Sequence, residues 1–213
     1  ATPLLLIGLG CGLAFRMKLW NIGAEGQFYI GAFFASLVVL VPLVPEDSPK
    51  IFVLTLMGIM GMFGGALYGF VPGFLKAKYN VNEIITTLML NYVAIYWNNY
   101  WIFGKYSDAG FQMTPTFDKV AWLPRLADLA RKYPAFSGIT LHLGVVFGLI
   151  AAVVIWLIIS RSRWGYVISL IGDNPKAAKY AGINITRNII LVMMLSGALA
   201  GLAGMSEVTG VVH

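Results

Sequence analysis

Residues 51–75, IFVLTLMGIMGMFGGALYGFVPGFL, run for 25 positions without a charged side chain. A bilayer core of about 30 Å needs about 20 residues of helix at about 1.5 Å each. This run therefore reaches across one. Five more of the same character surround it: Ala1–Phe15, Gly26–Pro45, Ile84–Gly104, Pro134–Ser160 and Asn188–Ser206. We label the six A to F in chain order. Four of them hold 20 residues or more. The first is short because the chain begins inside it, so the sequence reads as a fragment truncated at both ends. The expected fold is all-α, a polytopic transmembrane helical bundle forming one domain over residues 1–213.

Composition agrees. Hydrophobic residues make up 59% and charged residues 11%, with a mean hydropathy of +0.79. Soluble domains carry about 25% charged residues, so that class is excluded. Cys11 stands alone, and His142 and His213 are too far apart to suggest a ligand pair. No disulfide framework or metal site follows. There is no GxxxxGK[ST], HExxH or GxSxG motif. The chain is expected to be no enzyme and to hold no cofactor. If ATP drives it, another subunit hydrolyses the ATP.

The charges orient the bundle. Short connections rich in Lys and Arg face the cytoplasm. Connections A–B, C–D and E–F carry Arg16, Lys18, Lys76, Lys78, Arg161, Arg163, Lys176, Lys179 and Arg187 against Glu25, Glu83 and Asp173. B–C has Lys50 against Glu46 and Asp47 and faces outward. The net charge of +6 is thus a topology signal, with no aromatic-interleaved basic patch for nucleic acid. The long D–E loop, 105–140, lies outside. Leu123, Leu126, Leu129 and Ala130 recur there at helical spacing, opposite Arg125, Asp128, Arg131 and Lys132. That pattern predicts a short amphipathic helix on the outer surface.

Gly8/Gly12, Gly61/Gly65/Gly69 and Gly197/Gly201, with Ser196/Ala200/Gly204, repeat every four residues. Such stripes let helix backbones approach closely. Trp97, Tyr100, Trp101 and Tyr106 form an aromatic belt at the outer end of D. Pro42, Pro45 and Pro72 lie at or near segment ends, where they break or kink a helix.

Three clusters put polar groups in or beside the membrane. The first is Asn21, Glu25 and Gln27; the second Asn82, Glu83, Thr86, Thr87 and Asn91; the third Ser206, Glu207 and Thr209. Glu83, Thr87 and Asn91 share one helix face. A charge at the bilayer centre costs at least about 2.5 kcal/mol, so these groups read as a polar path. Asn, Gln, Thr and Ser favour a neutral, hydroxylated cargo. Glu25 and Glu83 are expected near the cytoplasmic side and Glu207 toward the outer one.

The E–F loop, 161–188, carries the last pattern. Asp173 or Asn174 can cap a helix with Pro175 in its first turn, and Gly182 can end it. Lys176, Ala177, Ala178, Lys179 and Tyr180 between them form about two turns with a flat alanine face. A short helix presented to the cytoplasm suits a membrane protein that receives force from a partner.

FRMKLWNIGAEGQ (15–27), VNEIITTLMLNYVA (81–94), GDNPKAAKYAGIN (172–184) and LSGALAGLAG (195–204) together resemble the permease subunits of bacterial ABC importers. The likeness is to the nucleoside and simple-sugar branch, related to branched-chain amino acid permeases. VNEIITTLMLNY points to nucleosides. The resemblance implies a type II importer fold of about ten helices, six of them here, in the bacterial plasma membrane. It also implies a second permease chain, cytoplasmic subunits that bind ATP and Mg, and an extracellular substrate-binding lipoprotein. By position, Asn174–Gly182, with Asp173 before it, would be the coupling helix that docks on the ATPase, within a cytoplasmic coupling loop over 161–188. Asn21, Glu25, Gln27, Glu83, Thr87 and Asn91, with Glu207, would line or gate the path. Ribose, another sugar or a branched-chain amino acid are the alternative cargoes. The alternative class is an ion-coupled secondary transporter in which Glu25, Glu83 or Glu207 relays protons or sodium.

Overall fold

The computed structural model describes residues 2–41, 45, 48–107, 114–117, 119–124 and 143–212. Among these residues the only regular structure is helix, and the six apolar runs appear as α1 (Thr2–Arg16), α2 (Ala24–Leu40), α3 (Lys50–Tyr79), α4 (Glu83–Phe103), α5 (Gly144–Arg161) and α8 (Ile185–Glu207). Two further helices, α6 (Arg163–Asp173) and α7 (Pro175–Tyr180), fill the loop between α5 and α8. Three helical stretches are long and apolar enough to cross a membrane: α3, α5 and Ile185–Val211. The other two apolar helices, α1 and α2, are shorter. The 21-residue α4 is not among these spans, because its face of Glu83, Thr87, Asn91 and Asn98 makes it more polar.

Glycine sets the core. On α3, a Cβ at Gly65 would run into the Gly197 carbonyl, and one at Gly69 into the Met193 carbonyl. Gly31 of α2 presses on Gly201 from the other side, and Gly204 lies against Phe28 and Ala32. Helices α2, α3 and α8 therefore meet backbone to backbone, which dispersion favours where lipid gives no hydrophobic drive. The stripes at Gly61/Gly65/Gly69 and Gly197/Gly201 are contact faces, as expected. Gly8 and Gly12 are not: nothing lies within 4 Å of a Cβ built on either, and Gly10 instead faces Ser196. Pro72, expected at a segment end, sits inside α3 with the helix continuing to Tyr79.

The connection from α1 to α2 turns back on itself. Leu19 N–H donates to the Ala14 carbonyl (3.1 Å) and Lys18 N–H to Phe15 (2.8 Å), with Lys18 left-handed at φ 57°. This is the six-to-one and five-to-two pair that closes a helix. The chain then runs back beside α1, so that the Cys11 thiol meets the Asn21 carbonyl at 3.6 Å. Helix α2 starts there, and Asn21 bonds Ser196, residue 12 of the 23 in α8. The start of α2 thus lies level with the middle of α8. Glu25, expected near the cytoplasmic end, stands beside that middle level as well.

Helix α6 was not expected. Its Ile168 and Ile171 are buried against α1 and α8, and Arg16 Nε donates to Ser169 Oγ at 3.1 Å. At the opposite end of the bundle, Phe117 and Ala121 pack on Val38 of α2, Met57 of α3 and Met205 of α8. Leu123 N–H donates to the Thr209 carbonyl at 2.9 Å, where α8 gives way to a π-helical turn, Val208–Val212. The amphipathic helix expected over 123–132 falls outside the described residues except for Leu123 and Pro124, neither of which is helical.

Candidate functional site

Helix α2 begins with Gly23 as its N-cap, and a glycine supplies no side-chain acceptor for the free N–H groups of the first turn. Asn91 of α4 supplies it instead: its Oδ1 accepts from Gly26 N–H at 2.8 Å, and its Nδ2 donates to the Ile22 carbonyl at 3.0 Å. One carboxamide on a neighbouring helix thus caps α2 and clamps the residue before its cap. On the other side, Asn21 Nδ2 donates to Gln27 Oε1 at 2.9 Å and to Ser196 Oγ at 2.8 Å. Gln27 Nε2 donates back to Asn21 Oδ1 at 3.2 Å. Asn21, Gln27, Asn91 and Ser196 are all buried. In a membrane interior each of these amides needs its partners, and here each has them.

Thr87 is buried against Gly23, and its hydroxyl donates to the Glu83 carbonyl at 2.7 Å. Glu83 pairs with Lys76 across the α3–α4 turn, N to O 3.0 Å. Ser206 and Thr209 bond carbonyls of their own helix, Ala203 and Met205. The structure therefore separates the candidate path residues into three groups. Asn21, Gln27, Thr87 and Asn91 form an interior clamp around the start of α2. Glu83 belongs to an ion pair at the end of α3. Glu25 and Glu207 both line an open groove of about 610 Å³, with Pro3, Leu4, Ile7, Phe28 and Tyr29 as its other walls. The groove lies between α1 and α2 and reaches the end of α8. Two carboxylates and a tyrosine hydroxyl facing apolar walls can accept hydrogen bonds from a solute rich in donors. Among the described residues no group of three His, Cys, Asp or Glu side chains is placed to hold a metal ion.

The E–F segment folds as a presented helix. Asn174 Oδ1 accepts from Ala177 N–H at 3.0 Å, Pro175 occupies the first turn, and Gly182, at φ 74°, ends it. Asp173, the other candidate cap, closes α6 and is exposed. The face that looks outward differs from the one the sequence suggests. Ala178 is 0% exposed, locked in the core with Ile168, Ile171 and Val192, and Ala177 is half-buried. Lys176 and Lys179 are exposed, and Tyr180 is 93% exposed. The alanine face anchors α7; the lysines and the tyrosine are what a partner would meet.

Sequence reasoning missed three participants. Ser196 was hidden inside a stripe of small residues, although its hydroxyl is what distinguishes it there. Lys76 read only as a topology charge. Asn98 continues the stripe Glu83, Thr87, Asn91, Ala94 on α4, and extending that spacing one step would have found it.

The whole chain, residues 1–213, matches the family described as branched-chain amino acid transport system / permease component. It is 39% identical over 98% of its length to a guanosine ABC transporter permease protein of Bacillus subtilis, covering 58% of that protein. It is 33% identical over 95% of its length to a nucleoside ABC transporter permease protein of Lactococcus lactis, covering 55% of it. It is 34% identical over 99% of its length to a glucose ABC transporter permease protein of Haloferax volcanii, again covering 55%. The chain thus spans less than two thirds of the length of these relatives. No solved structure matches it.

Proposed function

The chain belongs to the branched-chain amino acid transport system / permease component family, and from that membership we propose that it forms the membrane-spanning part of an ATP-driven nucleoside importer. The observation that carries the cargo is the 39% identity with a guanosine permease over 98% of this chain. In this reading the chain performs no chemistry. An external binding lipoprotein delivers the nucleoside. The Glu25/Glu207 groove offers acceptors to its ribose hydroxyls and base N–H groups, and Phe28 and Tyr29 offer apolar faces. A cytoplasmic ATP-binding subunit, with Mg and ATP on its side, meets Lys176, Lys179 and Tyr180 of α7. A second permease chain completes the pair. The Asn21–Gln27–Ser196–Asn91 clamp transmits movement, because it ties the start of α2 to both α8 and α4.

Uptake by the full-length permease with its binding protein and ATPase tests the cargo. Guanosine, adenosine, uridine and ribose are compared in proteoliposomes loaded with ATP. Guanosine uptake that depends on ATP and exceeds ribose uptake is the expected result. Ribose preferred over all three nucleosides would move the assignment to simple sugars, the second reading, which the 34% identity with a glucose permease favours. Uptake driven by a proton or sodium gradient without ATP would overturn both.

A further inference from the structure

Neither carboxylate of the groove is used by the fold. Among the described residues Glu25 and Glu207 have no ion-pair or hydrogen-bond partner, whereas Glu83 is paired with Lys76 at 3.0 Å. No lysine, arginine or histidine is among the described residues that line the groove. Glu25 stands level with the middle of α8, and an ionisable residue at membrane depth without a partner points to function. The walls Pro3, Leu4, Ile7 and Phe28 are apolar, and Tyr29 adds one hydroxyl. A hard metal ion takes about six oxygen ligands or more, so this set of groups suits an organic solute. The volume of about 610 Å³ holds one, since small-molecule sites run from roughly 300 to 1,000 Å³.

Glu25, Phe28 and Tyr29 share one face of α2, at three- and four-residue spacing. The two rings meet edge to face, with centroids 5.7 Å apart and 82° between their planes. Helix α2 therefore presents a carboxylate one turn from a fixed aromatic wall. Glu207 reaches the same groove from the end of α8.

We propose that Glu25 reads the base edge of a purine nucleoside and selects guanine over adenine, while Glu207 takes the ribose. The proposal rests on the nucleoside-importer reading above and narrows the cargo of its groove. An ionised carboxylate only accepts hydrogen bonds. Guanine offers it two donors side by side, N1–H and the exocyclic amino group, which match its two oxygens as an arginine fork does. Adenine sets its amino group beside a bare N1, and cytosine beside a bare N3, so one oxygen meets a lone pair. Stacking on Phe28 or Tyr29 is blind to that difference, because every base has a π face. The other donors of a nucleoside are its ribose hydroxyls, at the far end from this edge, and Glu207 is the second acceptor, supplied by a different helix.

Glu25→Gln and Glu207→Gln in the whole importer test this, with the wild-type binding protein in every sample. The selectivity of that protein then cancels when variants are compared, and a ratio of two cargoes within one variant does not depend on how much of it has folded. A glutamine keeps one acceptor and gains a donor, the arrangement that pairs bidentately with adenine. Glu25→Gln should therefore lower the ratio of kcat/KM for guanosine over adenosine about tenfold, the discrimination of one bidentate contact. 1-Methylguanosine, which lacks N1–H, should be carried less well than guanosine by the wild type, and that gap should shrink in Glu25→Gln. Glu207→Gln should slow guanosine and adenosine alike. A guanosine-to-adenosine ratio within twofold of wild type in Glu25→Gln would overturn the assignment, and so would a switch of preference that appears in Glu207→Gln instead. A wild-type importer that carries ribose and no nucleoside would defeat the underlying cargo reading.

Discussion

Asn91 does the work that a serine or aspartate does at an ordinary helix start, but from a different helix. Interhelical hydrogen bonds in membranes average about 0.6 kcal/mol, yet this side chain makes two and covers two backbone groups. Asn91→Leu leaves the buried Gly26 N–H unpaired, at about 1–3 kcal/mol, and removes the bond to the part-buried Ile22 carbonyl, at about 1 kcal/mol. We expect a loss of about 2–4 kcal/mol, read as a lower midpoint in denaturant unfolding of the micelle-bound protein. Tyr92→Leu, at the exposed next position, should shift it by less than about 0.5 kcal/mol. The shared face of Glu83, Thr87 and Asn91 was legible from four-residue spacing alone. What Asn91 bonds to was not, because its partners are backbone groups of a glycine and an isoleucine, which carry no signature. Glu25 and Glu207 show the converse: both were legible as ionisable groups in apolar surroundings, while their common groove depends on how α1, α2 and α8 cross.

Among the elements, α7 is where sequence and structure agree on the object and differ on its face. Asn174, Pro175 and Gly182 bracket the helix because capping, φ and chirality are local properties that six residues can encode. Which side is buried depends on α6, and that helix was not recognised in RWGYVISLIGD, although Ile168 and Ile171 have helical spacing. The consequence is a pair of outcomes with opposite causes. Ala178→Arg puts a charge into a fully buried position and should prevent folding, seen as loss of the protein from the membrane fraction. Lys176→Glu combined with Lys179→Glu changes only exposed side chains, so the protein should accumulate normally. If α7 meets an ATP-binding subunit as proposed, ATP-driven uptake by the full importer should nevertheless fall at least tenfold, while ATP hydrolysis by that subunit stops responding to cargo.

For the whole molecule, six charge-free runs gave six helices in the expected order, and three of those stretches have the length and apolarity that a membrane crossing demands and that composition displays. On the topology expected from the positive charges, Lys176 and Lys179 should react with a membrane-impermeant amine reagent in inside-out vesicles and stay protected in intact cells. Labelling in the reverse sense would turn the bundle over and put α7 beyond reach of any ATPase. Less legible was the depth at which α2 begins, since no run of residues announces that a chain re-enters the apolar layer after a left-handed lysine. That feature bears on how the protein is made. Asn21 leaves the ribosome 175 residues ahead of the serine that will bind it, which at about 5–20 residues per second is roughly 9–35 s of translation. For that interval the Asn21–Gln27 pair lacks its Ser196 partner, and α2 can complete its contacts with α8 only after α8 has been synthesised.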